Sequence, residues 1–173
     1  MPAADQHTFE HVLNDGVKVT VRPLRAEDAA LYPDFIANVT ADDLRMRLFT
    51  PVAHLTDDMI HRFTHYDPET AMAFIALDEG GRMLGVARLH DDADGSGGEF
   101  AVLVRSALKG HGLGWLLMQH VIDYAKEKGL AAVHGEVLSE NLTMLQMCKE
   151  LGFGIADEPG EGGVKRVTLR LAL

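Results

Sequence analysis

The sequence predicts an α/β domain in which a central mixed β-sheet is flanked by helices. Three observations carry that expectation. Apolar residues alternate at period two in several short segments and recur at helical spacing in others. After residue 99 the chain reads strand, helix, strand, helix, strand, an order that packs helices on the faces of a sheet. Between the most apolar strand and the longest helix stands a turn with three glycines, Gly110, Gly112 and Gly114.

Met1 to His7 is small and polar and is expected to fray. Asp15-Gly16 suits a tight hairpin turn, and the strand leaving it, Val17 to Arg22, alternates apolar and polar residues until Pro23. Leu31, Phe35, Ile36 and Val39 are spaced for one helix over 26–39, and Leu44, Met46 and Leu48 for a second after Thr40, ended by Pro51. Thr56 caps a third, with Asp57 and Asp58 in its first turn, which ends near Asp67-Pro68. Ala71 to Leu77 and Met83 to His90 make a hairpin across the turn Asp78 to Gly81. Glu99 opens the central strand, since Phe100 to Val104 is too apolar to be one-sided. Leu113 to Lys128 is a long helix closed by Gly129. A strand over Ala131 to Leu138 and a helix over Asn141 to Leu151, stopped by Gly152, follow it. A Gly- and acid-rich loop then leads to a last strand, Val164 to Leu171, and one domain spans 1–173.

The 173 residues are 47% apolar and 24% charged, a globular composition that argues against disorder. Sixteen basic against 26 acidic residues leave a net charge of −10, which speaks against a nucleic-acid or anionic-membrane surface and for cationic or protein partners. The one cysteine, Cys148, cannot form an internal disulfide or a cysteine-built zinc site. No signal-peptide pattern opens the chain and no uncharged apolar run nears the ~20 residues of a membrane helix, so a cytoplasmic protein is expected. His61 and His65 stand at i, i+4, but no Glu follows the first and no third ligand is evident, so no metal is expected.

The chemistry centres on Lys109-Gly110-His111-Gly112-Leu113-Gly114. Glycines here clear side chains from backbone N–H groups, and a helix N-terminus adds unsatisfied donors and about half a positive charge. The turn is therefore an anion cradle, with phosphate its natural occupant. It fits neither the nucleotide-hydrolase phosphate loop nor the dinucleotide fingerprint, and a tight strand-to-helix connection is the simpler alternative.

The stretch from Glu99 to Phe153 closely resembles the GNAT superfamily of acyl-CoA-dependent N-acyltransferases. That family's pyrophosphate signature is Arg or Gln, two residues, Gly, one residue, then Gly or Ala; Lys109, Gly112 and Gly114 hold those places, the first with a departure. Asn141 through Gly152-Phe153 resembles its second signature. More loosely, over Val17 to Leu171, the segments Asp43 to Phe49 and Ala71 to Ala76 resemble the GNAT domain of bacterial protein lysine acetyltransferases. In many of those the domain is fused to a large acyl-CoA synthetase-like region, for which 173 residues leave no room.

The resemblance implies acetyl-CoA as acyl donor and a mixed sheet holding it. Lys109, Gly110, His111, Gly112, Leu113, Gly114 and Trp115 would form the pyrophosphate turn, although Trp115 also suits packing or a homodimer contact and His111 also suits solvent. Val102, Leu103 and Val104 would line the cofactor, with backbone N–H groups of Leu103 and Val104 stabilising the oxyanion. Asn141 would bond the pantetheine arm, cap its helix, or both. An amine must be neutral to attack a thioester, yet a lysine-like amine has a pKa near ~10.4, so a base is needed. Glu99, 13 residues before Gly112, stands where the family carries its catalytic glutamate. Seven residues after Asn141, where many members place a proton-donating tyrosine, stands Cys148, a poorer donor. A covalent role for Cys148 and a non-catalytic acyl-CoA-binding module are the alternatives.

Asp91, Asp92 and Asp94 before Glu99, and Asp157, Glu158 and Glu161 before the last strand, would border the acceptor and attract a cation. Arg105, Lys109 and Lys149 would serve the CoA side. The expected acceptor is then a lysine in a basic protein segment, with a small amine such as a polyamine or aminoglycoside as the alternative.

Overall fold

The computed structural model describes residues 7–48, 55–160 and 162–171. Met1 to Gln6, Phe49, Pro51 and Glu161, which enter expectations above, lie outside them. His7 does not fray: it is 8% exposed, with its ring edge-on to Tyr124 at 5.5 Å.

Eight strands form one sheet: β1 (Phe9–Val12), β2 (Lys18–Pro23), β3 (Ala71–Leu77), β4 (Met83–Asp91), β5 (Gly97–Val104), β6 (Ala132–Leu138), β7 (Gly154–Asp157) and β8 (Val164–Arg170). Their spatial order is β1-β2-β3-β4-β5-β6-β8-β7. Every neighbouring pair is antiparallel except β5 with β6, the parallel join that the long crossover helix makes possible. The helices are α1 (Tyr32–Ala37), α2 (Ala41–Leu48), α3 (Asp57–Thr64), α4 (Leu113–Lys128) and α5 (Leu142–Glu150).

Most expected elements form, and the departures have local causes. The helix expected over 26–39 divides into a 3-10 segment, Ala26–Leu31, and α1. Pro33 has no N–H for a helical bond back to residue 29, and the Asp28 carboxylate tightens the first turn by accepting from the Arg25 N–H at 2.8 Å. Helix α3, capped as expected by Thr56, stops at Thr64, because His65 leaves the helical region with ψ 69. Strand β5 begins two residues early, at Gly97. The Gly- and acid-rich loop contains an unexpected edge strand, β7, exposed along its whole length and so without an alternating apolar signal.

Alternate residues of β3 divide between two cores: Phe74 and Ala76 on one face, Ala73 and Ile75 on the other. On the first face Leu113, Leu117, Met118, Val121 and Ala125 of α4 are fully buried. Each such leucine or valine contributes roughly 1.5–3 kcal/mol of burial, which anchors the start of α4 at the sheet. On the second face Tyr32, Phe35 and Leu44 of α1 and α2 pack with Ile75 and Val86.

The feature that positions a site is the join of β5 to β6. They pair only from Gly97 with Ala132 to Glu99 with His134. Beyond that β5 stays with β4 as far as Val104, while β6 stays with β8 as far as Leu138, and the two part. Phe100 fills the base of the gap: a Cβ at Gly135 would lie 2.7 Å from its ring, and Phe153 meets that ring edge-on at 5.5 Å. Among the described residues no helix is long and apolar enough to cross a membrane.

Candidate active site

The gap between β5 and β6 opens into a cleft of about 1190 Å3, closed at one end by the glycine turn and flanked by α2 and the start of α5. After β5 a 3-10 turn, Ser106–Leu108, delivers the chain to Lys109. Gly112 has φ +90, in the left-handed region. A Cβ there would meet only Asn14 Nδ2, at 3.6 Å, so backbone conformation rather than space selects glycine. Gly112 caps α4 without a side-chain acceptor, which leaves first-turn N–H groups available to an anion.

The ionic side chains of the turn are held away by carboxylates. Lys109 Nζ donates to Asp43 Oδ1 at 2.7 Å, and Ser106 Oγ donates to the other oxygen at 2.5 Å. Burial alone would raise the Asp43 carboxyl, but these bonds outweigh it and hold the group below its usual value. His111 Nδ1 lies 2.9 Å from Asp15 Oδ2 in the β1–β2 turn. The cradle is thus a backbone surface, and Lys109 reaches an anion only in competition with Asp43. Leu113 puts its side chain wholly into the core, so its N–H is what it offers the turn.

Ladder phase decides which donors of β5 face the gap. Arg105 N–H bonds to Leu84 O, and Asp92 N–H to Gly97 O. In an antiparallel ladder bonded pairs recur every second residue, so Val86 with Leu103, Arg88 with Ala101 and His90 with Glu99 exchange bonds as well. The Leu103 N–H is therefore spent on β4, which corrects its expected oxyanion role. Val102 and Val104 have the opposite phase, and their N–H groups face the side that β6 has vacated.

The structure brings Glu99, Val102, Leu103, Val104, Lys109, Gly110, His111, Gly112, Gly114, Trp115 and Asn141 to the wall of one cleft. Glu99 is exposed within it. Asn141 Oδ1 accepts from the Met144 N–H at 3.2 Å and so caps α5, leaving its amide NH2 as the group for a ligand. Trp115 is 40% exposed at the rim. Cys148 is not brought there: it is fully buried in the α4–α5 core, and burial pushes its thiol up to about 12. A neutral, enclosed thiol is neither a nucleophile nor a donor to a group in the cleft.

Two charge expectations also change. Arg105 is 9% exposed, with Nε donating to Met83 O at 2.7 Å and its guanidinium paired with Asp34, so it braces the fold rather than a phosphate. Among the described residues of the acidic loops none lines the cleft: Asp91 pairs with Lys128, Asp92 with His134 and Asp157 with Lys165. The rings of His61 and His65 stack at 3.8 Å, and among the described residues no cluster of three metal-ligating side chains occurs.

Sequence reasoning missed several cleft residues near Glu99, among them Arg47 of α2, Arg88 and His90 of β4 and Glu136 of β6. Burial, followed by the nearness of Arg88, pushes the Arg47 guanidinium down to about 10, and burial also lowers Arg88. The available signal was an arginine amid the apolar run Leu84 to Leu89 of a central strand.

Known proteins resemble this chain in sequence and fold. The Acetyltransferase (GNAT) family matches residues 39–153. An acetyltransferase of Pseudomonas aeruginosa is 30% identical over 164 residues, covering 93% of this chain and 87% of that protein. An L-methionine sulfoximine/L-methionine sulfone acetyltransferase of Pseudomonas paraeruginosa is 30% identical over 143 residues, 79% of this chain and 78% of that one. The crystal structure of the GNAT domain of S. lividans PAT superposes with a TM-score of 0.89 at 29% identity, covering 99% of both chains. The glycine cradle, the parted strands and these matches together make the chain a member of the GNAT acetyltransferase family, an acetyl-CoA-dependent N-acetyltransferase.

Proposed function

We propose that the pyrophosphate of acetyl-CoA sits on the turn from Gly110 to Trp115, its arm lies between β5 and β6, and Glu99 serves as base for direct attack by a primary amine. The observation that carries this reading is the parting of β5 from β6 beside the glycine turn, which puts two sets of unspent backbone donors on one channel. Acetyl-CoA supplies an activated thioester. The amine forms the new C–N bond as the C–S bond breaks, and its proton passes to Glu99 directly or through a water. The CoA thiolate takes a proton from solvent, since Cys148 does not face the cleft. The N–H groups of Val102 and Val104 stand ready for charge developing on the carbonyl oxygen.

The acceptor favoured here is a small primary amine, the class to which the substrates named for the Pseudomonas paraeruginosa relative belong. Among the described residues none of the expected loop acids lines the cleft, whose charged groups near Glu99 are Arg47, Arg88 and Glu136, so the electrostatic support expected for a basic segment is missing. A protein lysine is the second reading, favoured by the full-length likeness to the GNAT domain of S. lividans PAT. The reading places the enzyme in the cytoplasm.

The test of the mechanism is Glu99→Gln. Turnover should fall by ~10²–10⁴, with acetyl-CoA affinity by calorimetry unchanged and partial recovery at high pH, where the amine deprotonates unaided. A fully active Glu99→Gln enzyme would refute the assignment of the base. Labelled acetyl transfer to cell-extract proteins beside a panel of small amines separates the two acceptors.

A further inference from the structure

Where this chain encloses an arginine elsewhere, it supplies an aspartate. Arg22 holds Asp28 through two bonds of 2.8 Å, and Arg105 holds Asp34. Arg47 and Arg88 break that pattern, since among the described residues neither forms an ion pair with a carboxylate. Arg88 Nη2 donates to Phe63 O at 3.2 Å, with its guanidinium carbon 4.8 Å from the Phe63 ring centroid, contacts that orient the group without neutralising it. The Arg47 side chain makes no hydrogen bond to any described residue, although Glu99 and Arg88 are both close enough to act on its charge.

A third polar group points to the same place. The two arginines and Tyr32 line a small cavity of about 20 Å3 beside the cleft, room for roughly one oxygen atom or water. Tyr32 is 2% exposed, and its hydroxyl, which stands beside the Arg88 guanidinium, has no hydrogen-bond acceptor for its proton. Two guanidinium groups without an ion-paired carboxylate and a buried hydroxyl without an acceptor are costly to leave as they stand, and an anion from outside would satisfy all three. Guanidinium forks match the paired oxygens of a carboxylate.

The anion site is also in register with the proposed base. Arg88 stands opposite Ala101 and His90 opposite Glu99, so Arg88 and Glu99 are diagonal neighbours on one face, roughly 7–8 Å apart at the backbone. One small molecule bearing an amine and a carboxylate can span these side chains, whereas a lysine ε-amine brings no carboxylate with it. We propose that Arg47, Arg88 and the Tyr32 hydroxyl form a carboxylate site that selects α-amino acids as acceptors and presents their amine to Glu99. The proposal rests on the acetyl-transfer reading above and adds the acceptor class.

The experiment compares free α-amino acids with their methyl esters and with the matching decarboxylated amines, following CoA release. The acid form should be preferred in kcat/KM by about 10- to 100-fold, the value of one charge-assisted hydrogen bond. Arg88→Gln and Tyr32→Phe should lower kcat/KM for the acid far more than for the ester, chiefly through KM. Arg47→Lys, which keeps a charge and guards against a misfolded variant, should retain part of the preference. Calorimetric binding of the amino acid to the enzyme–CoA complex gives a readout apart from turnover and should weaken in the same order. Equal use of acids, esters and amines, labelling confined to proteins, or an equal loss for acid and ester in the variants would overturn the carboxylate site. Absence of transfer to any amine would instead overturn the acetyl-transfer reading beneath it.

Discussion

Gly112 gives the sharpest test of the anion cradle, because its two obvious substitutions should separate stability from binding. Its φ of +90 is one that an L-residue occupies only at a cost of roughly 1–2 kcal/mol. A new Cβ meets nothing nearer than Asn14 Nδ2 at 3.6 Å, so no clash adds to that cost. For a chain of this size Gly112→Ala should then lower Tm by about 2–8 °C. Gly112→Glu bears the same backbone strain but places a carboxylate at the uncapped N-terminus of α4, which returns about 0.3–1 kcal/mol. The Glu variant should therefore melt no lower than the Ala variant. Binding should run the other way. The carboxylate competes for the donors that a pyrophosphate would use, and loss of one or two charge-assisted hydrogen bonds, at ~1.5–3 kcal/mol each, weakens acetyl-CoA by at least tenfold and up to about 10⁴-fold. Gly112→Ala should stay within about tenfold of the unsubstituted enzyme, as strain alone would shift it. Calorimetry with acetyl-CoA and a melting curve on each variant suffice. A folded Glu variant that binds acetyl-CoA undiminished would remove the pyrophosphate assignment.

Cys148→Ala should leave turnover at neutral pH intact and cost about 1 kcal/mol of stability for the small void. The thiol, raised by burial from 9.0 to about 12, stabilises the fold below pH 9, where folded and unfolded chains both keep the proton. Between pH 9 and 12 the unfolded thiol ionises and the folded one does not, so stability falls by up to about 1.4 kcal/mol per pH unit. Denaturant titrations should show that alkaline slope become shallower in Cys148→Ala; an unchanged slope would refute the burial argument. Gly135→Ala would force the Phe100 ring aside from a 2.7 Å overlap, with an expected loss of roughly 1–3 kcal/mol and reduced turnover. Phe100→Leu in the same chain should restore part of the stability, and failure to do so would show that the ring is not the obstacle.

The features legible in the sequence were those that depend on neighbours a few residues away. Helix α4 runs from Leu113 to Lys128 as read, because left-handed glycines stand at both ends, Gly112 and Gly129, and a period of 3.6 needs no partner to be seen. The β1–β2 turn, the Thr56 cap and the glycine cradle are local for the same reason. Tertiary structure decided what depends on pairing across long sequence separations. Whether Leu103 or Val102 turns its N–H to the gap is a matter of ladder phase with β4, which alternation of side chains along β5 does not reveal. The burial of Cys148, the capture of Arg105 by Asp34 and the pairing of Asp91 with Lys128 join residues far apart in the chain, and each moved a residue out of its expected role. Arg47, Arg88 and Tyr32 come from α2, β4 and α1, so no motif holds them together. Only the packing of those helices over the sheet gathers two guanidinium groups and a phenol around one small cavity, because burial of Tyr32, Phe35 and Leu44 against Ile75 and Val86 fixes where α1 and α2 lie.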